Sequence, residues 1–155
     1  MTTASGAGQE LLLDTCVYID VAQGRTPPAV DRLLQVRVLN HSSVALAELT
    51  HLFGRLDPSD ARTKAALGQL SVILDSIPEH RLTAPSIEAS GEAGMLAGLA
   101  ARLVGRAHSQ ALLNDALLLL HAGESGRVLL TRNIDDLDRL QQLAPRSQVL
   151  FYRQA

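Results

Sequence analysis

The chain is 155 residues long, with 46% hydrophobic and 19% charged residues and a formal net charge of −2. This length suits one domain that buries a single core without disulfides or structural metals. The near-neutral charge excludes a chain-wide basic field of the kind that recruits nucleic acid.

The chain begins with a small, polar segment, residues 1–10, which we expect to be a flexible leader before a single domain of residues 11–155. The leader lacks the basic start and apolar stretch of a signal peptide. No apolar run in the sequence reaches the roughly 18–20 residues that a membrane helix needs. The single cysteine, Cys16, excludes an internal disulfide and suits a reducing compartment. These features favour a cytoplasmic protein.

The apolar pattern predicts strands that alternate with helices along the chain. Thr26 and Asp57 are expected to cap helices, because each precedes a proline that suits the first helical position. Ser86 is expected to cap a long helix. In chain order, the predicted elements are a strand at 11–13, a helix at 27–35, a strand at 36–43, a helix at 44–54, a helix from 58 to before Pro78, a strand at 81–84, helices at 87–104 and 111–121, a strand at 127–131, a helix at 134–143 and a strand at 148–152.

The alternation predicts an α/β fold, with a mostly parallel central sheet flanked by helices in three layers. In open sheets of this class, ligands bind beyond the carboxyl ends of the strands. Asp14 directly follows the first predicted strand, and Glu48 lies in the first turn of the helix after the second. Asp136 follows the strand at 127–131. The sequence therefore predicts an acidic site at this edge of the sheet.

A fourth acid, Asp115, interrupts an otherwise apolar helix at 111–121. A helix this apolar is expected to be buried on most sides. A lone buried carboxylate is costly unless a cation or hydrogen-bond donors compensate it. Asp115 is therefore a candidate metal ligand, and the alternatives are a pairing with arginine or a place on a narrow exposed strip.

Four carboxylates around one point favour hard divalent cations, because Mg²⁺ and Mn²⁺ prefer oxygen ligands. Such an ion can activate water and offset the charge of an in-line phosphoryl displacement. The acidic set therefore indicates phosphodiester hydrolysis rather than thiol or acyl chemistry.

Four short motifs occur in an order that resembles the PIN-domain family, and within it the VapC-type toxins of bacterial toxin–antitoxin pairs. The resemblance spans roughly residues 11–152, and the ending with T-x-N-x-x-D-L is its most specific part. Leu137 stands where phenylalanine is more usual. The motifs are Leu11-Leu12-Leu13-Asp14-Thr15, Ser43-Val44-Ala45-Leu46-Ala47-Glu48-Leu49, Asn114-Asp115-Ala116-Leu117 and Leu130-Thr131-Arg132-Asn133-Ile134-Asp135-Asp136-Leu137.

The resemblance implies a PIN-like fold and a metal-dependent endoribonuclease that acts as a toxin. It implies RNA as the substrate, a VapB-type antitoxin as a partner, a homodimer, and contact with DNA only through the antitoxin. It also implies supporting hydrogen bonds from Thr131 and Asn133. The implied catalytic and metal-binding residues, which would hold Mg²⁺ or Mn²⁺, are Asp14, Glu48, Asp115 and Asp136.

Several alternatives stay open from the sequence. Asp135 neighbours Asp136, and only the N-x-x-D spacing from Asn133 favours Asp136 as the fourth acid. The chain can instead be a binding module that pairs with an antitoxin as a co-repressor, or a housekeeping RNA-processing nuclease. Arg25, Arg102, Arg106 and Arg132 are candidates for holding RNA, each set against a plain solvated role.

Overall fold

The computed structural model describes residues 8–105, 107 and 109–155. The described residues contain a five-stranded, all-parallel sheet in the order β3-β2-β1-β4-β5, flanked by helices, and the predicted three-layer α/β class is confirmed. The strands are β1 (Leu11–Leu13), β2 (Leu39–Ser42), β3 (Leu82–Thr83), β4 (Val128–Thr131) and β5 (Gln148–Phe151). The helices are α1 (Thr15–Ala22), α2 (Pro28–Val36), α3 (Ser43–Arg55), α4 (Ala61–Asp75), α5 (Ile87–Leu103), α6 (Gln110–Glu124) and α7 (Ile134–Leu143).

Strand β1 occupies the centre of the sheet, and this position decides where the first acid lies. It pairs in parallel with β2 on one side and with β4 on the other. Its three leucines are each no more than 4% exposed. Asp14, the next residue, donates its backbone N–H to the carbonyl of Leu130 in β4 at 3.0 Å. The side chain of Asp14 therefore stands between the ends of two neighbouring strands.

Helix α1 was not predicted from the sequence. The apolar residues Val17, Tyr18 and Ile19 follow β1 so closely that they resemble a continuation of the strand. Asp14 ends the strand by capping the helix, because its side chain accepts a hydrogen bond from the backbone N–H of Thr15 at 2.7 Å. The chain thus turns into a helix directly beyond the carboxyl end of β1.

Two predicted helix caps are wrong. Pro27, not Thr26, is the N-cap of α2, and the Thr26 hydroxyl donates to Asp31 instead. Asp57 accepts from the backbone N–H of Ser59 at 2.9 Å in a turn, and Asp60 caps α4. In both cases the side chain bonds a nearer partner than the free N–H groups of a helix, Asp31 for Thr26 and Ser59 for Asp57, and the helix begins further along the chain.

The remaining predicted elements lie within a few residues of their observed bounds, and Ser86 caps α5 as expected. Residues 1–7 of the predicted leader lie outside the described residues. None of the helices in the described ranges combines the length and apolar character needed to cross a membrane.

Candidate active site

The four predicted acids line one open cleft of about 710 Å³ beyond the carboxyl ends of β1 and β4. Three chain segments build most of the cleft wall: the start of α1, the end of β4 with the start of α7, and the C-terminal tail. The lining residues are Asp14, Thr15, Cys16, Ile19, Glu48, Ala111, Asp115, Arg132, Asn133, Ile134, Asp135, Asp136, Tyr152, Arg153 and Gln154.

Asp14 lies at the base of the cleft and is 4% exposed. One of its oxygens, Oδ1, accepts from the backbone N–H of Thr15 at 2.7 Å, and Oδ2 accepts from the Thr131 hydroxyl at 2.6 Å. Burial raises the pKa of Asp14, and these hydrogen bonds offset only part of the rise. The carboxylate is thus fixed in orientation but costly to keep ionised.

Glu48 reaches the cleft from α3 and is tied to the residue after Asp14. The Thr15 hydroxyl donates to its Oε1 at 2.8 Å. Burial raises the pKa of Glu48, a hydrogen bond from Thr15 opposes the rise, and the charge of Asp14 adds to it. Asp14 and Glu48 are therefore close enough to repel each other.

Asp115 lies on α6 and is 8% exposed, as its place in an apolar helix predicts. Its Oδ2 accepts from the Asn133 side-chain amide at 2.9 Å. Burial raises the pKa of Asp115 to about 8, helped by the charges of Asp14, Glu48 and Asp136. The other three acids thus act together on this one carboxyl group.

Asp136 and its neighbour Asp135 both line the cleft, but they differ in two ways. Asp135 is exposed, whereas Asp136 is half-buried. The charge of Asp136, but not that of Asp135, contributes to the raised pKa of Asp115. Both differences favour Asp136 as the fourth acid of the site.

Thr131 and Asn133 connect the acids from the end of β4. The Thr131 hydroxyl, fully buried, donates to Asp14 and accepts from the backbone N–H of Asn133 at 3.0 Å. The Asn133 amide then donates to Asp115. The supporting positions implied by the resemblance therefore form one chain of hydrogen bonds between two of the acids.

The donor set of the cleft fits a hard divalent cation, since it consists of carboxylate oxygens whose repulsion a cation would offset. Across residues 8–105, 107 and 109–155, no three His, Cys, Asp or Glu side chains already lie close enough to hold a metal ion. The hydrogen bonds from Thr15, Thr131 and Asn133 each hold a different carboxylate, those of Glu48, Asp14 and Asp115. Metal binding stays a prediction, and it requires the carboxylates to approach one another.

Several cleft residues were not identified from the sequence. Thr15 bonds Glu48, and a hydrogen bond from Asn114 also lowers the pKa of Glu48. Each stands directly beside a predicted acid in the sequence, which is the signal that could have identified it. Asp20 interrupts the apolar run of α1 just as Asp115 interrupts α6, and the same reasoning would have selected it.

The arginines considered for RNA binding differ in their position relative to the cleft. Arg132 lines the cleft, and its Nε donates to Asp20 at 2.7 Å. Arg25 is exposed and outside the cleft wall, while Arg102 lines a different depression on α5. Arg106 lies outside the described residues.

The fold belongs to a class found in solved VapBC and FitAB-type complexes. No protein-family model matches the sequence, and no curated protein matches it significantly. The likeness to solved structures is thus a likeness of fold, and it is the fold that the resemblance to PIN domains implies.

Three solved structures illustrate the likeness. A chain of FitAcB from Neisseria gonorrhoeae matches with a TM-score of 0.64 and 17% identity, over 92% of this chain and 96% of that chain. A chain of VapBC2 from Rickettsia felis, solved bound to a DNA fragment from its promoter, matches with a TM-score of 0.62 and 19% identity, over 92% of this chain and 98% of that chain. A chain of VapBC-1 from nontypeable Haemophilus influenzae matches with a TM-score of 0.61 and 20% identity, over 91% of this chain and 96% of that chain.

Proposed function

We propose that this protein is a metal-dependent endoribonuclease and the toxin of a toxin–antitoxin pair, acting in the cytoplasm. The single observation that carries the proposal is the gathering of four acids on one cleft wall. Burial, together with the charges of the other three acids, raises the pKa of Asp115 there. The fold shared with chains of VapBC complexes supports a VapB-type antitoxin as partner. A homodimer is part of the proposal and rests on the resemblance of the sequence motifs alone.

The acids would hold Mg²⁺ or Mn²⁺ through Asp14, Glu48, Asp115 and Asp136. When bound, the ion supplies positive charge that favours deprotonation of an attacking water and offsets charge on the scissile phosphate. Thr131 keeps the Asp14 carboxylate turned towards the cleft, and Asn133 does the same for Asp115. Thr15 holds Glu48 beside them.

The first test is cleavage of total bacterial RNA by the purified protein with Mg²⁺, Mn²⁺ or EDTA. We expect discrete fragments that require metal and that disappear in Asp14→Asn and Asp136→Asn. Loss of one essential ligand should reduce the rate by at least about 10²-fold, the scale on which single groups that stabilise a transition state act. Circular dichroism checks that each variant is folded.

Two neighbours on α7 provide matched controls. Asp138→Asn changes an exposed acid outside the cleft wall and should leave cleavage unchanged. Asp135→Asn tests whether Asp135 or its neighbour Asp136 is the fourth acid, and we expect this variant to retain most of the cleavage activity. Full RNA cleavage by Asp14→Asn would argue against the proposed site. So would losses of cleavage in Asp135→Asn and Asp138→Asn as large as the loss in Asp14→Asn.

A second candidate function is that of a co-repressor that strengthens antitoxin binding to the operator without cutting RNA. It is favoured by the solved VapBC2 structure, which holds a DNA fragment from its promoter. Gel-shift assays with the antitoxin and operator DNA separate the two functions. A chain that tightens the DNA complex but leaves RNA intact with Mn²⁺ is a co-repressor alone.

A further inference from the structure

A second buried carboxylate, Asp20 on α1, lies next to the acidic cleft but outside the set of four. It is fully buried and accepts three hydrogen bonds. The donors are Arg132 Nε at 2.7 Å, the Tyr152 hydroxyl at 2.7 Å and the Gln154 amide at 2.8 Å. Asp20 thus joins α1 to the segment after β4 and to the C-terminal tail.

The three hydrogen bonds compensate the buried charge of Asp20. Removing one donor would leave part of that charge without compensation. Because the carboxylate is held by Tyr152 and Gln154 as well, it also fixes the position of the arginine that bonds to it.

Asp20 fixes Arg132 on the wall of the cleft. The side chain of Arg132 is 35% exposed, whereas that of its partner is fully buried. Nε makes the bond to Asp20, and neither Nη group donates a side-chain hydrogen bond to any other residue in the part of the chain that the structure describes, so the edge formed by the two Nη groups faces no described partner. That edge has the planar geometry that binds a phosphate through two parallel hydrogen bonds.

The cleft needs such a group, since its carboxylates repel an RNA backbone. Arg153 is the other arginine among the described residues that line the cleft wall. It is exposed in the C-terminal tail, and it makes no hydrogen bond to Asp20. Arg132 directly follows Thr131, which bonds Asp14, so it stands next to the proposed reaction site.

We propose that Arg132 binds a backbone phosphate of the substrate RNA and that Asp20 is its positioning residue. Tyr152 and Gln154 hold Asp20 from the other side, so the C-terminal tail stabilises the phosphate site. The inference rests on the proposed nuclease function, because it assigns RNA as the ligand of the cleft.

Kinetics and RNA binding test the inference on the full chain. A fluorescent single-stranded RNA is titrated in EDTA and in Ca²⁺, and cleavage is measured in Mn²⁺. Arg132→Gln should weaken RNA binding about tenfold, raise KM more than it lowers kcat, and make binding less dependent on salt by about one phosphate contact. Arg25→Gln, which changes an exposed arginine outside the cleft wall, is the matched control and should change each quantity by less than about twofold.

A double-mutant cycle tests the role of Asp20. Asp20→Asn should weaken RNA binding severalfold in the wild-type background but have no further effect in Arg132→Gln, because residues that act through each other are not additive. Thermal melting shows whether each variant is folded. Tyr152→Phe removes one of the three bonds to Asp20 and leaves the bond from Arg132 in place, so it should weaken RNA binding less than Asp20→Asn does.

The outcomes separate this inference from the nuclease proposal. Wild-type protein that cleaves RNA while Arg132→Gln binds and cleaves equally well overturns the phosphate role and leaves the nuclease intact. Weaker RNA binding in Arg132→Gln, without cleavage by any form, supports the phosphate role and overturns the nuclease. Additive effects of Asp20→Asn and Arg132→Gln, or no RNA binding by the wild type, also overturn the inference.

Discussion

Two aspartates that interrupt apolar helices have opposite electrostatic surroundings. Burial alone would raise the pKa of Asp20, but hydrogen bonds from Arg132, Tyr152 and Gln154 outweigh it and lower the pKa. Burial raises the pKa of Asp115, and the charges of three other acids raise it further. Asp20 is thus compensated within the described structure, whereas Asp115 is the residue whose charge calls for a cation.

The raised pKa of Asp115 has a consequence for stability in the absence of metal. Its folded pKa of about 8 exceeds the unfolded value of about 3.9. Stability from the protonated carboxyl is therefore complete below about pH 4 and is lost as pH rises towards 8. Asp115→Asn should melt higher than wild type at pH 8 in EDTA by about 4 °C or more, on a scale of several degrees per kcal/mol.

The same variant should show little advantage at about pH 3, which lies below both pKa values, so that the wild-type carboxyl is mostly protonated in the folded and the unfolded states. Thermal melts across this pH range provide the measurement, and Asp138→Asn serves as the exposed control. An advantage of Asp115→Asn that does not depend on pH would show that it does not come from ionisation of Asp115, and no advantage at pH 8 would show that the ionised carboxyl is compensated within the fold.

At the scale of single elements, the glycines in two helices differ in how closely other residues pack against them. Gly94 lies on an exposed part of α5, and a Cβ added there would meet nothing within 4 Å. Gly123 lies in the last turn of α6, where an added Cβ would come within 2.5 Å of the Ser147 hydroxyl oxygen. Ser147 is itself 3% exposed. Of these two glycines, Gly123 is therefore the one that close packing requires.

This contrast predicts opposite effects of the same substitution. Gly94→Ala should stabilise the protein by about 0.5–1 kcal/mol, because alanine loses less backbone entropy in a helix. Gly123→Ala should destabilise it by about 1 kcal/mol or more through overpacking against Ser147. Urea denaturation measures both. Loss of stability in Gly94→Ala would indicate that this face of α5 is covered, and a gain in Gly123→Ala would show that Ser147 moves freely.

The elements also show what the sequence could predict. The order of strands and helices and the long helices α5 and α6 follow from local periodicity and capping, and they were predicted. Helix α1 was missed because its apolar residues continue the pattern of β1 without a break. Which strands become neighbours is decided by packing across the sheet, and no local pattern carries that information.

The candidate site shows the same division. Asp14, Glu48 and Asp136 were predicted from their places after strands, and Asp115 from its burial. The hydrogen bonds that orient them join residues far apart in sequence, such as Thr131 and Asp14. The Asp20–Arg132 ion pair was not predicted, because its two residues are far apart in sequence and only the fold shows that the arginine lines the acidic cleft.

At the scale of the whole molecule, binding a divalent cation should be coupled to folding, because the acids converge only in the folded chain. A ligand at one hundred times its Kd stabilises the folded state by about 2.7 kcal/mol. Mn²⁺ should therefore raise the Tm of the wild type, and EDTA should reverse the rise. Asp138→Asn should respond like wild type, whereas an equal rise in Asp14→Asn would place the ion elsewhere.

The central position of β1 has a further consequence during protein synthesis. Asp14 is translated before Thr131, which holds it, and the cleft is lined by residues up to Gln154. Contacts that span so much of the chain form late, because the intervening segment must be ordered first. A ribosome making this protein would therefore carry an inert nascent chain until the cleft-lining residues up to Gln154 have been made. For a protein that we propose to cut RNA, this delay protects the message and the ribosome that produce it.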